Sequence, residues 1–146
     1  MSVWAVIAAA GSGERFGLDR PKAFANLRDR PLLAESLERL EESDWIDSIV
    51  VAAPPDWEEP VILLAEELGC GKVEAVTGGA TRAASVAAAV GVVPEDAAVV
   101  LVHDAARPVL PEQVIERVLT ALNEGWDGAI PVLPLADTVK RIESDR

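Results

Sequence analysis

The chain is poor in the residues that build disulfides and metal clusters. It has one cysteine, Cys70, and one histidine, His103, among 146 residues. A single cysteine excludes an internal disulfide and a Cys-rich zinc site, and fits a reducing cytoplasmic setting. A single histidine gives little support to a His-based triad or metal cluster. Positive charge is also scarce: 13 Lys and Arg stand against 25 Asp and Glu, a formal net charge of -12. That balance speaks against nucleic acid as a partner, since no broad basic face is available. Phosphate ligands stay open, because close Arg and Lys contacts are screened less than distant surface charge. Long apolar runs are missing too. The opening Met1-Ser2-Val3-Trp4 has no basic n-region, and its apolar run meets Gly11, so neither a signal peptide nor a membrane span is expected. What is present, 50% apolar and 26% charged residues, describes one ordinary folded domain rather than a disordered tail.

Short β-like runs alternate with helical patterns. Residues 3–9 (VWAVIAA), 48–53 (SIVVAA), 72–76, 97–102 (AAVVLV) and 128–133 read as strands. Residues 31–43 read as a helix with Leu33, Leu37 and Leu40 on one face. Residues 57–68, ended by Gly69-Cys70-Gly71, residues 81–92 and residues 111–123 read as three more helices. Residues 137–142 (DTVKRI) alternate as an exposed hairpin strand would. Strands apolar throughout, each followed by an amphipathic helix, predict an α/β fold with a mostly parallel sheet covered on both faces. Crossovers are expected to be right-handed, and ligands are expected at the carboxyl ends of the strands, where strand order reverses.

Three strand-end loops carry the chemistry. The first runs Ala10-Gly11-Ser12-Gly13-Glu14-Arg15-Phe16-Gly17, then Pro21-Lys22-Ala23-Phe24. Small residues let backbone N–H groups approach phosphate oxygens, Arg15 offers a fork, and Lys22 a mobile point charge. The string lacks the Gly-Lys-Ser/Thr of a P-loop, and it matches a dinucleotide fingerprint only loosely. A plain βα turn competes, but Arg15 with Pro21-Lys22 is better explained as a nucleoside triphosphate cradle. The second loop, Gly78-Gly79-Ala80-Thr81-Arg82-Ala83-Ala84-Ser85, places two glycines before a helix start. Thr81 is a candidate cap, and the Ser85 hydroxyl either faces a ligand or packs. The third, His103-Asp104-Ala105-Ala106-Arg107-Pro108, offers Asp104 to a hard cation such as Mg²⁺ and Arg107 to a phosphate or a neighbouring acid. His103 reads as a satisfied structural group.

The string AAAGSGERFGLDRPKAF resembles the nucleotide loop of the cytidylyltransferases that make 4-diphosphocytidyl-2-C-methyl-D-erythritol in non-mevalonate isoprenoid synthesis. HDAARP matches the corresponding motif of that family, and Gly79, Arg82 and Ser85 fall on its Gly-Gly-x-x-Arg-x-x-Ser-Val pattern. The resemblance implies a Rossmann-like three-layer nucleotidyltransferase fold over residues 1–133 and the start of a β-arm over 134–146. It implies Arg15 and Lys22 as catalytic cations. It implies nucleotide contacts from Ala9, Ala10, Gly11, Ser12, Gly13, Gly79, Arg82, Ser85, Asp104 and Ala105. It further implies Mg²⁺ on Asp104, and contacts from Arg107 and Thr138 to the second substrate. The implied substrates are CTP and a polyol phosphate, 2-C-methyl-D-erythritol 4-phosphate, and the implied assembly is a cytoplasmic homodimer joined through the arm. Members of that family are longer, and the chain reads as a fragment, a cleaved product or one piece of a two-piece protein. Another polyol-phosphate or sugar nucleotidyltransferase, or a noncatalytic nucleotide-binding fragment, would share all three loops.

Overall fold

Strand β1 (Val3–Ala8) forms the inner part of a sheet because nearly every residue in it is apolar. Val3, Ala5, Val6 and Ile7 are all buried. A computed structural model describes residues 2–13, 17 and 20–142. After β1 come a 3-10 turn (Lys22–Phe24), a small antiparallel hairpin of β2 (Asn26–Leu27) and β3 (Arg30–Pro31), and helix α1 (Leu32–Glu42). There follow β4 (Ser48–Ala53), α2 (Glu58–Glu67), β5 (Val73–Thr77), α3 (Arg82–Val90), β6 (Val99–Asp104) and α4 (Glu112–Asn123).

The main sheet is parallel, with strand order β5-β4-β1-β6. The chain walks outward from β1 to β5, then returns to the other side of β1. That reversal between β1 and β6 is the topological switch point of a doubly wound sheet. Register aligns the carboxyl ends: Ala8 pairs with Ala52 on one side and Asp104 on the other, and Ala53 pairs with Thr77.

Both faces of the sheet are covered, as the sequence predicts. On one, Val6, Val50 and Ala52 pack with Ala89 of α3, joined by Trp4, Val76, Val93 and Val100. Helix α1 buries Leu33, Leu37 and Leu40, the predicted apolar face. Each such side chain stabilises the fold by about 1.5–3 kcal/mol relative to exposure. Helix α2 stops where Gly69 takes φ +74° and the Cys70 N–H reaches back to the Ala65 carbonyl at 2.8 Å.

Three expectations change. The hairpin of β2 and β3 was not predicted. Strand β6 lies two residues later than expected, so it contains His103 and Asp104 itself. It is also the edge of the described sheet rather than a buried strand, with Val102 45% exposed. Finally, no strand forms over residues 128–133 or 137–142. Ile130 and Leu133 are 83% and 92% exposed. Pro131 and Pro134 interrupt this stretch, and neither has an N–H to give a ladder.

The chain divides into two units, Met1–Glu112 and Gln113–Arg146. The first holds the sheet and all three strand-end loops. The second holds nearly all of α4, with Ile115 and Leu119 buried, followed by residues 124–142 without regular structure.

Candidate active site

The first loop leaves β1 with its ladder continued by one bond, Ala9 N–H to the Ala52 carbonyl at 3.0 Å. It then turns back on itself. The Lys22 N–H donates to the Gly11 carbonyl at 3.1 Å. Gly13 sits at φ +77°, and a Cβ there would stand 3.1 Å from the Arg20 carbonyl oxygen and from the Lys22 nitrogen. Glycine is therefore required at 13, by backbone conformation and by the close return of the chain. Lys22 begins the 3-10 turn, whose Phe24 is buried and packs its ring 4.5 Å from that of Trp57. Arg15 lies outside the described residues.

The second loop meets the first. The Gly78 N–H donates to the Ala53 carbonyl at 2.6 Å. A Cβ on Gly78 would lie 2.5 Å from the Ala10 Cβ and 3.1 Å from the Ala53 carbonyl oxygen. Gly79 is equally tight, since a Cβ there would stand 2.4 Å from the Ala84 Cβ. Thr81 caps α3 as predicted, its hydroxyl oxygen accepting from the Ala84 N–H at 3.1 Å. Ser85 is buried. Its hydroxyl accepts from the Gly79 N–H at 3.1 Å and lies 2.9 Å from the Thr81 carbonyl oxygen. The packing alternative therefore describes this hydroxyl, which shapes the glycine corner from beneath.

The third loop brings charge to the same end of the sheet. Asp104 ends β6 beside Ala8, and the Ala105 N–H donates to the Ala8 carbonyl at 3.2 Å. The Asp104 carboxylate stands between two guanidiniums. Arg82 Nε is 2.8 Å from Oδ1, and Arg107 Nε is 3.4 Å from Oδ2. Asp104 is mostly shielded, whereas Arg82 and Arg107 are 61% and 82% exposed. Two cations on one carboxylate leave a net positive, solvent-facing corner, which suits an anion in spite of the acidic whole.

His103 points away from this corner, because neighbours in a strand face opposite sides. Its Nε2 is 3.1 Å from the Ser36 hydroxyl of α1. Burial holds its imidazole below the ordinary histidine range, and Arg107 pushes the same way, against the opposing pull of Asp104. It is the satisfied structural group that the sequence predicts, with a partner that the sequence did not reveal. Gly78 is the other residue missed. Its signal was the glycine doublet, of which only Gly79 was singled out. Thr138 belongs to the unit Gln113–Arg146, where it is exposed.

Among the described residues no cluster of three or more His, Cys, Asp or Glu side chains is placed to hold a metal. That excludes an all-protein cage among them. It leaves the single carboxylate of Asp104, already paired with Arg82 and Arg107, which would hold Mg²⁺ only together with phosphate and water oxygens.

Comparison with known proteins bears on the family and the fold. The family model for IspD, 2-C-methyl-D-erythritol 4-phosphate cytidylyltransferase, matches residues 3–146. A relative of that name from Frankia casuarinae is 46% identical over 143 residues, covering 98% of this chain and 52% of its own length. A bifunctional IspD/IspF enzyme from Novosphingobium aromaticivorans is 49% identical over 145 residues, covering 99% of this chain and 36% of its own. The crystal structure of 4-diphosphocytidyl-2C-methyl-D-erythritol synthase from Anaerococcus prevotii superimposes with a TM-score of 0.84 at 27% identity. That superposition covers 99% of this chain and 60% of that one. The chain thus spans about half the length of the curated relatives it matches. Motifs, strand order and a match running from the first strand to the last residue converge, and the chain belongs to the 2-C-methyl-D-erythritol 4-phosphate cytidylyltransferase family.

Proposed function

We propose that the protein transfers the cytidylyl group of CTP to 2-C-methyl-D-erythritol 4-phosphate and releases pyrophosphate. The observation that carries this reading is the Asp104 carboxylate set between Arg82 and Arg107 at the switch point of the sheet. The acceptor phosphate attacks the α-phosphorus of CTP in line, without a covalent enzyme intermediate. Catalysis is then positioning plus stabilisation of charge on the phosphoryl oxygens.

Each part of the corner has a task in this scheme. Backbone N–H groups of Gly11, Ser12 and Gly13 hold the triphosphate, with Ala9 and Ala10 lining its approach. Gly79 and Arg82 take the nucleoside end, on a loop whose shape Ser85 maintains. Ala105 packs at the same strand end. Asp104 would hold Mg²⁺, which supplies charge neutralisation to the phosphates when bound. Arg107 meets the acceptor phosphate, and Thr138, which is no part of this corner, keeps only the contact to the second substrate that the family resemblance implies. Arg15 and Lys22 stabilise the charge that grows on the transferring group. Residues 134–146 begin an arm through which two copies associate in the cytoplasm.

The test is pyrophosphate release from CTP and Mg²⁺ with methylerythritol phosphate and with ribitol phosphate, on this chain and on any longer gene product. Release with methylerythritol phosphate supports the reading. Release with ribitol phosphate alone assigns a different polyol. CTP binding without release from either preparation assigns a nucleotide-binding role only. Within the same assay, Lys22→Ala is expected to lower turnover about 10²–10³-fold, the loss typical of one preorganised charge-stabilising group. CTP affinity should fall far less. Equal losses would reduce Lys22 to a ground-state contact.

A further inference from the structure

One polar pair, a buried serine and a half-buried histidine, has no part in the reaction scheme. Ser36 is fully buried on α1, on the same side as Leu33, Leu37 and Leu40, and its hydroxyl meets His103 Nε2 at 3.1 Å across 67 residues of sequence. An apolar pair would fill this space without the desolvation cost of two polar groups. What it would lack is direction, since a hydrogen bond fixes both distance and angle.

The pair has something to fix. His103 is joined directly to Asp104, which stands between Arg82 and Arg107 on the opposite face of the strand. Helix α1 is joined through backbone hydrogen bonds to the Lys22 turn. The Leu32 N–H donates to the Ala25 carbonyl at 2.9 Å, and the Ala25 N–H to the Lys22 carbonyl at 3.0 Å. The Lys22 N–H then closes on Gly11 at 3.1 Å. The route from carboxylate to lysine is therefore one strand residue, one side-chain hydrogen bond, one helix start and one short turn.

We propose that Ser36 and His103 are positioning residues, whose hydrogen bond holds the Lys22 turn in register with the Asp104 corner. The catalytic half of this claim rests on the reaction proposed above, and the structural half does not. The register matters because an error near 1 Å in placing a charge-stabilising group costs about 10²-fold in rate.

The experiment uses the full-length gene product with Ser36→Ala, His103→Leu and His103→Gln. Glutamine keeps an amide able to reach the hydroxyl, whereas leucine does not. Amide hydrogen exchange without substrates reads the structural half at Lys22 and Ala105, with Val50 and Val51 of β4 reporting global opening. Ser36→Ala and His103→Leu are expected to speed exchange at Lys22 and Ala105 by about tenfold while β4 stays protected. They are expected to lower kcat about tenfold with KM for CTP nearly unchanged. His103→Gln should restore both. Unchanged exchange at Lys22 overturns the proposal, as does a rise spread equally over β4, or a glutamine variant as impaired as leucine. If exchange responds as expected but the unmodified protein releases no pyrophosphate, positioning stands and the reaction reading falls. If the unmodified protein turns over while Lys22 exchange never moves, the reverse holds.

Discussion

Residues 49–53 and residues 128–133 have similar apolar content and opposite fates. Ile49, Val50, Val51, Ala52 and Ala53 are all fully buried. They sit between β1 and β5, with hydrogen-bonding partners on both sides. Ile130, Val132 and Leu133 are between 82% and 92% exposed, and the backbone there forms no ladder. Apolar content nominates a strand, but neighbours on each side make one. In the first case a strand on each side pairs the backbone, and both faces are buried. In the second, two prolines have already removed donors, and no described strand supplies the remaining bonds.

A charge placed in each region gives the largest contrast. Val51→Asp buries a carboxylate with no cation beside it in the sheet, and is expected to destabilise by more than about 4 kcal/mol, enough to unfold most of the population. Val132→Asp is expected to change stability by about 0.5 kcal/mol or less, as for an exposed site. Denaturant midpoints on the two variants read this directly. A large loss from Val132→Asp would show that residues 128–133 are packed in solution, and would end the contrast.

How much of this was legible follows the same division. The strands that became β1 and β4 were readable because burial on both faces leaves an apolar run with no polar alternation. Helix α1 was readable from Leu33, Leu37 and Leu40, and the α3 cap from Thr81 before an alanine-rich run. The hairpin of β2 and β3 was not, since its turn uses Arg28 at φ +64° instead of glycine or asparagine. Residues 128–133 were overread because composition was weighed above Pro131 and Pro134. At the site, the glycine doublet and HDAARP were visible as local strings. The Ser36–His103 bond was not, since nothing local links residues 67 positions apart. The Ser85 hydroxyl was ambiguous for a related reason: its acceptors are backbone groups that only the folded corner supplies.

Glycine offers a smaller contrast, between the strand-end corner of the sheet and residues 128–133. Alanine at Gly78 puts a Cβ 2.5 Å from the Ala10 Cβ, 3.0 Å from the Ser85 Oγ and 3.1 Å from the Ala53 carbonyl oxygen, none of them the end of a long flexible side chain. The expected cost is about 1–3 kcal/mol of overpacking, with the two loops pushed apart. CTP affinity should fall with it, because both loops are assigned to the nucleotide. Gly128→Ala meets nothing within 4 Å and should shift stability by about 0.5 kcal/mol or less. Thermal melting and CTP titration of the two variants make the comparison. A neutral Gly78→Ala would mean that the first and second loops are not held against each other.

The smallest effect tests whether order reaches the exposed rim of the sheet unit. Thr77, the last residue of β5, donates its hydroxyl proton to the Glu58 carboxylate at the start of α2. That bond, with backbone N–H groups near the helix start, holds Glu58 below its ordinary value of about 4.3. A folded-state value below the unfolded one means that the unfolded chain takes up the proton first. The stabilisation is therefore complete above the unfolded value and is lost as pH falls through the folded one. Thr77→Val removes the donor at nearly constant volume. The variant should melt slightly lower than the unmodified protein at pH 7, and the gap should begin to shrink as pH falls below the ordinary glutamate value and close once pH passes the lower folded value, where both proteins hold a protonated Glu58. Melting curves from pH 7 to pH 3 read the gap. A gap that stays constant across that range would assign the loss to packing at the end of β5, and Glu58 would then be a solvated carboxylate no better organised than those of residues 124–142.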